Sequence, residues 1–216
     1  MQEVLYSSFA TALIQGIVES VSGLGFEDYL RRNVWDPAGM KFTQFDLPGR
    51  VVVGRADGYE RENGGSTEFR RVLQEDVSYK YASGGMISTV DDLCRFGEAL
   101  LTGRLLSEAT RTAMWTTAFT PSTPAMPQYN ARDKEHPYTE PETDGIFGQA
   151  LIWRIATDKQ GRTFIYHPGE VKGTLTQLII YPKEGLVIAL QYNTETLGPK
   201  RFPRFDALAF ADLFLE

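Results

Sequence analysis

The sequence predicts an α+β fold in which strands of the C-terminal third pack against helices. Dense apolar runs at residues 178–181 and 186–192 are typical of strands that are covered on both faces. The segment 182–185 between them begins with Pro and ends with Gly, which indicates a hairpin turn. Near the N-terminus, apolar residues recur at helical spacing over residues 9–21, which predicts an amphipathic helix.

Composition narrows the class of protein. The 216 residues are 42% apolar and 23% charged, as in ordinary soluble globular proteins, and they fit one large domain or two small ones. A net charge of −6 argues against nucleic acid and anionic membrane surfaces as partners. No apolar stretch approaches the roughly 20 residues of a membrane span. The two histidines and the single cysteine, Cys94, lack the spacing of zinc ligands, so we expect neither metal nor cofactor. One cysteine does not indicate the cellular compartment.

The N-terminal third predicts two helices. Ser7 or Ser8 can cap the helix over residues 9–21, and Gly23 can end it. We expect its polar side to face water, and that side consists of Thr11, Gln15 and Glu19. A second helix over residues 26–34 is expected to stop at the DPAGM segment, residues 36–40.

The middle third mixes a hairpin, two helices and a long loop. Residues 51–59 and 68–73 can pair as a hairpin over the NGG tip at 63–65. The stretch SGGMIST leads into a helix that Thr89 caps, and Asp92 three residues later resembles the second member of a capping box. A further helix follows Ser107. Five prolines between residues 116 and 145 predict a loop of unusual length, typical of a lid or binding loop, with His136 exposed on it.

The C-terminal third predicts the sheet and a last helix. We expect strands over residues 149–156, 163–167, 175–181 and 186–192, and a helix over residues 204–215. The segment HPGEVKG, residues 167–173, is interpreted as the connection between two strands. Its proline and two glycines let a backbone approach a ligand closely, and it contains His167. The alternative interpretation is a plain β-turn with an exposed histidine.

Three stretches, in this order, resemble the serine β-lactamase and penicillin-binding family. They are YSS at the start of the first helix, SGGMISTVDDL before a later helix, and HPGEVKG beside a strand. The resemblance runs from Tyr6 to about Asn193 and favours the branch of class C β-lactamases, D,D-peptidases and esterases. It implies an antiparallel sheet flanked by helices plus a helical subdomain, with the active site between them. We therefore predict one partial domain over residues 1–216, mainly helix and loop at 1–145 and sheet with the C-terminal helix at 146–216.

The resemblance also implies site residues. Tyr6 matches the tyrosine that helps move the proton of the nucleophilic serine, and His167 matches the Lys or His that supplies a donor or positive charge beside it. Ser8 stands where the family usually has a substrate-binding Asn. Gly169 matches the glycine that lets substrate lie along the strand edge, and the backbone N–H of Glu170 matches an oxyanion-hole donor. Pro168 replaces the usual Thr or Ser, which removes a hydroxyl and an N–H.

The nucleophile is the main departure from the family. The family serine lies in Ser-x-x-Lys upstream of the tyrosine, and none of the ten serines here has Lys at the third position after it. Two hypotheses follow. The chain is part of a serine hydrolase acting through an acyl-enzyme on a β-lactam, D-amino-acid peptide or ester, inactive by itself; alternatively, it is a truncated non-catalytic homologue that binds or scaffolds.

The resemblance also implies binding partners. A small molecule or peptide is the expected substrate, and the missing N-terminal segment or a second copy of the chain is the expected protein partner. Without the nucleophile helix, we expect the apolar stripe of the first helix to leave an exposed cleft, a self-association surface or marginal stability. A Ser-His-Asp hydrolase of another fold is disfavoured because the sequence contains no G-x-S-x-G elbow.

Overall fold

The computed structural model describes residues 7–62, 68–117, 148–194 and 203–215. The helices are α1 (Ser8–Ser22), α2 (Phe26–Leu30), α3 (Asp36–Ala38), α4 (Tyr81–Gly84), α5 (Val90–Leu101), α6 (Glu108–Met114) and α7 (Pro203–Asp212). The strands are β1 (Gln44–Phe45), β2 (Tyr59–Arg61), β3 (Phe69–Arg71), β4 (Met86–Ile87), β5 (Gly148–Gln149), β6 (Arg154–Thr157), β7 (Thr163–Val171), β8 (Thr174–Tyr181) and β9 (Leu186–Tyr192).

The main sheet is antiparallel and follows chain order from β5 to β9. Successive side chains of each strand alternate between two apolar layers, as strand geometry requires. Phe164, Ile179 and Tyr181 face α7, whereas Ile165 and Ile180 lie in the layer that contains Leu100 of α5. Helices thus cover both faces, and the predicted α+β architecture is confirmed.

The prediction that HPGEVKG connects two strands is wrong for most of the segment, because strand β7 runs through it. The strand was expected to end at His167 and the segment to connect it to the next strand, but β7 continues to Val171, and only Lys172 and Gly173 form the turn. Gly173 has a φ of 74°, which a glycine adopts without strain. Pro168 pairs with Gln177 of β8 inside the strand. A proline fits there because it sits beyond the point where β6 stops, on a local edge of the sheet.

The predicted strand over residues 149–156 is in fact a hairpin. Gln149 of β5 pairs with Arg154 of β6, and the chain reverses between them. As a result Trp153 and Ile155 are buried while Leu151, at the reversal, is exposed. A short apolar run does not reveal a reversal when the turn lacks Gly and Pro.

Helix α1 has the predicted ends but the opposite orientation. The Ser7 hydroxyl accepts from Ala10 N at 3.3 Å, and Gly23 ends the helix with a φ of 69°. The polar side was expected to face water, yet Gln15 and Glu19 are half-buried, and Glu19 accepts the backbone N–H of Phe26 at 3.1 Å. The apolar side faces outward, with exposed fractions of 49% to 84% for Phe9, Leu13, Ile14, Ile17 and Val21. The apolar stripe is therefore exposed, and the expected self-association or marginal stability stays a prediction.

The second helix continues beyond its predicted stop. A π-helical turn, Arg31–Trp35, joins α2 to α3, and Asp36 N–H donates to Arg31 O across five residues. Pro37 has no N–H to donate, so the wider turn lets the helix pass over it until Gly39, at φ 75°. Within the described residues no single helix is long and apolar enough to span a membrane, although the bent pair Ser8–Ser22 and Phe26–Ala38 together passes that test of length and composition.

Helix α5 begins at the predicted cap, with Asp92 N donating to Thr89 Oγ1 at 3.2 Å. The carboxylate of Asp92, however, was expected to complete a capping box. Instead it accepts from Lys41 N at 3.0 Å, Phe42 N at 2.7 Å and Thr43 Oγ1 at 2.8 Å. This 1% exposed side chain therefore fixes the segment after α3 to the start of α5.

The remaining elements largely follow the sequence. Ser107 caps α6 as predicted, accepting from Thr110 N at 3.2 Å. The hairpin expected from residues 51–59 and 68–73 is shorter, since only Tyr59–Arg61 and Phe69–Arg71 pair. Its tip at 63–65 lies outside the described residues, as do His136 and most of the predicted loop at 116–145.

Candidate functional site

The candidate site is centred on an open edge of strand β7. Strand β6 pairs only with residues 163–166 of β7, whereas β8 pairs with residues 165–171. In the described part of the chain, residues 167–171 therefore have a strand on one side only. Unpaired backbone groups of such an edge can bind an extended peptide-like ligand as an added strand. His167, Gly169 and Glu170 all lie along this edge.

His167 is half-buried on the sheet face that α5 covers. It follows Ile165 by two residues and pairs with Leu178, and both belong to that layer. Burial lowers the pKa of His167, the positive charge of Arg154 lowers it further, and a hydrogen bond to the backbone of Pro168 partly opposes both. The neutral imidazole is therefore favoured at neutral pH, so this residue offers a hydrogen bond rather than a fixed positive charge.

Gly169 is packed from across the sheet. It pairs with Thr176 of β8, and a Cβ built on Gly169 would lie 2.3 Å from Thr176 Oγ1. The neighbouring strand thus disfavours a side chain at this position, because the Thr176 hydroxyl would have to move. Glu170 pairs with Leu175 and its side chain is exposed.

Helix α4 contacts both β7 and α1. A Cβ on Gly84 would be 3.8 Å from Val171 Cγ1, which is ordinary van der Waals contact. Tyr81 stacks on Phe45 with ring centroids 4.3 Å apart, and this pair anchors α4 in the cluster around Trp35. The SGG segment, in which Ser83 donates to Lys80 O at 3.2 Å, is thereby held between α1 and the edge strand.

The sequence-predicted residues divide into two groups. His167, Gly169 and Glu170 lie together on β7, and Ser8 is exposed as the first residue of α1. Tyr6 lies outside the described residues, so its distance from His167 remains a prediction. Among the described residues, no group of three His, Cys, Asp or Glu side chains could hold a metal ion.

Two residues near the site escaped sequence reasoning. Arg154 affects His167 electrostatically, and Thr176 packs on Gly169. Both relations depend on strand register, which sets cross-strand neighbours and leaves no local signature in the chain. A register deduced from the hairpin turn at residues 172–173 would have revealed Thr176.

Comparisons with known proteins agree on the fold. The family model described as Beta-lactamase matches residues 2–213. The human serine beta-lactamase-like protein LACTB, mitochondrial, is 28% identical over 94% of this chain and 36% of its own length. The octameric penicillin-binding protein homologue from Pyrococcus abyssi superposes with a TM-score of 0.76 at 20% identity, over 99% of this chain and 43% of that one. D-amino acid amidase from Ochrobactrum anthropi gives 0.72 at 18% identity, over 98% and 59%.

Proposed function

The chain belongs to the β-lactamase family, and from this premise we propose that it is part of a serine hydrolase working through an acyl-enzyme intermediate. The substrate class is a β-lactam, a D-amino-acid peptide or an ester. The open edge of β7 is the observation that carries the proposal, because it presents His167, Gly169 and Glu170 beside α4. Such an edge can align a peptide-like substrate next to a nucleophile.

The proposed roles follow the match of each group to the family motifs. The Tyr6 phenol takes the proton of the attacking serine, and the neutral His167 imidazole hydrogen-bonds beside it. The backbone N–H of Glu170 donates to the developing oxyanion. The backbone at Gly169 stays accessible to substrate, and the Ser8 hydroxyl replaces the amide that usually holds it.

The serine itself is proposed to come from a segment that this sequence does not contain, since no Ser-x-x-Lys occurs in it. The outward apolar face of α1 is the surface on which we place that segment. Its five large apolar side chains follow helical spacing, and their exposure is unfavourable in water unless another surface covers them. The chain spans 36% of the human relative's length, which supports a further segment as the covering surface.

A complementation experiment tests this function. The chain is produced together with the N-terminal half of a full-length relative that carries Ser-x-x-Lys, and the mixture is treated with a fluorophosphonate or labelled penicillin. We expect a covalent adduct on the added half only when both parts are present. Changing the added serine to alanine should abolish the adduct, and His167→Gln should slow its formation. An absence of adduct under every mixing condition would contradict the proposal.

Charged substitutions on α1, with a matched control elsewhere, test whether α1 is the assembly surface. Leu13→Asp with Ile17→Asp places two charges on the apolar face, whereas Leu213→Asp changes a similarly exposed residue just beyond α7. We expect the first pair to prevent assembly with the added half and the second change to leave it intact. Equal adduct yields from both variants would show that α1 is not the assembly surface.

A second candidate is a non-catalytic binding module. Pro168 favours it, because this residue lies within β7 where the family supplies a hydroxyl and an N–H to substrate. Such a module would bind a β-lactam reversibly along the same edge without acylation. Calorimetry on the purified chain distinguishes the two functions, since reversible binding together with failed complementation favours the module. No binding of any such ligand would exclude it.

A further inference from the structure

The turn between β5 and β6 has an unusual backbone. Ala150 N donates to Trp153 O at 2.9 Å, and Trp153 N donates to Leu151 O at 2.8 Å. The central residue of the inner hydrogen bond is Ile152, with a φ of 68°. This is the arrangement of a classic γ-turn, which is rare and strained. Among the described residues, Ile152 is the only non-glycine with a positive φ, and a β-branched side chain is especially disfavoured there.

The side chains at this turn are equally unusual. Leu151 is 64% exposed and Ile152 is 62% exposed, although Trp153 beside them is buried. Gly or Asn at position 152 would relax the backbone, and a polar residue at either position would be better solvated. Strain of this kind concentrates at functional sites, where the surrounding structure holds it in place. Two exposed aliphatic groups on a strained turn therefore point to a contact with something apolar.

The register of the sheet places this turn beside the candidate site. Strand β6 begins at Arg154, which pairs with Tyr166 of β7. Continued by one residue, the same register would set Trp153 opposite His167, but there the chain turns back toward β5. The turn therefore ends β6 at the point where the open edge of β7 begins.

We propose that Leu151 and Ile152 form an apolar wall at the end of this edge and select substrates with a large aliphatic substituent. The inference rests on the proposed function, because the open edge must hold the peptide-like part of the ligand. A ligand that pairs along residues 168–171 has its end near Tyr166 directed at the turn. An acyl chain at that end would move out of water and pack on the two aliphatic side chains, so the affinity of the ligand would rise with the length of the chain.

Binding to the chain itself tests the wall without requiring catalysis. The probes are N-acyl-D-alaninamides with acetyl, butanoyl and hexanoyl groups, titrated while the backbone amide resonances are followed by NMR. Full burial of each added CH₂ corresponds to about a fourfold gain in affinity. We expect a gain of twofold to fourfold per CH₂, with the largest length-dependent shifts at Leu151 and Ile152.

Variants separate the wall from a general hydrophobic effect. Ile152→Gly removes the side chain and accepts the positive φ, so it should fold at least as well as the parent and lose most of the length dependence. Leu213→Ser, at a 73% exposed position just beyond α7, should keep it. The inference is overturned if Ile152→Gly keeps the full length dependence, if both variants lose it equally, if the shifts fall on α1, or if no probe binds.

The two proposals fail separately. Length-dependent binding at the turn together with no adduct in the complementation experiment would overturn the hydrolase and leave the wall. An adduct in the complementation experiment together with probe binding that is independent of acyl length would overturn the wall and leave the hydrolase.

Discussion

Substitution of Gly169 by alanine tests whether packing against Thr176 explains the glycine at the centre of the candidate edge. The new Cβ would lie 2.3 Å from Thr176 Oγ1, whereas Cβ atoms in proteins stay beyond 3.0 Å, so at least one strand must shift or Thr176 must rotate. Overpacking of this kind costs about 1–3 kcal/mol. Against it stands a gain of about 0.5–1 kcal/mol, because alanine loses less backbone entropy than glycine in a strand. The net expectation is a destabilisation of up to about 2.5 kcal/mol.

The pair Gly169→Ala and Thr176→Ala turns this estimate into a double-mutant cycle. Without the Thr176 hydroxyl the clash disappears, so Gly169→Ala should become neutral or stabilising in that background. Urea unfolding of the four proteins at one pH gives the coupling free energy, which we expect to be about 1–3 kcal/mol in the direction of relief. Equal destabilisation in both backgrounds would refute the reasoning, because the cost would then not arise from the cross-strand contact.

Three further predictions concern buried polar groups. Asp92→Ala should lower the free energy of unfolding by about 3 kcal/mol or more, since three donors lose their acceptor, and Asp92→Asn should cost less; urea titrations compare them. The free energy of unfolding of the parent should fall as pH drops below about 6.5, because the pKa of His167 is lowered in the folded chain and the unfolded chain therefore binds the proton more readily. Unfolding curves of His167→Gln should lack this pH dependence. Arg162→Ala should cost about 3 kcal/mol in thermal or urea unfolding, because it removes the 2.7 Å ion pair to the buried Asp158.

Local signals were the reliable part of the sequence. Ser7, Thr89 and Ser107 cap their helices as predicted because each cap is a contact within three residues of the chain. The strands β8 and β9 were predictable from uninterrupted apolar runs. Chain segments whose structure depends on distant partners were not: Asp92 forms its hydrogen bonds with residues some 50 positions away.

The candidate site was predictable in its residues and less so in its geometry. Pro168 and Gly169 suggested a break in the strand, because both residues weaken a central strand. They are accommodated since β6 stops before them, a fact of pairing that the sequence does not display. The lowered pKa of His167 was equally hidden, because it arises first from burial and then from the charge of Arg154, which is 13 positions away in the chain.

The orientation of α1 is the deepest difference between sequence and structure, and it has a physical explanation. Helical periodicity establishes that two faces differ, but burial of the apolar face requires a second surface to receive it. Here the polar face packs inward, where Glu19 accepts the N–H of Phe26, while the apolar face from Phe9 to Val21 has no cover among the described residues. Helix α4 contacts both α1 and β7. A segment that covers the outward face of α1 would therefore be linked to the open edge of β7 only through α1 and α4.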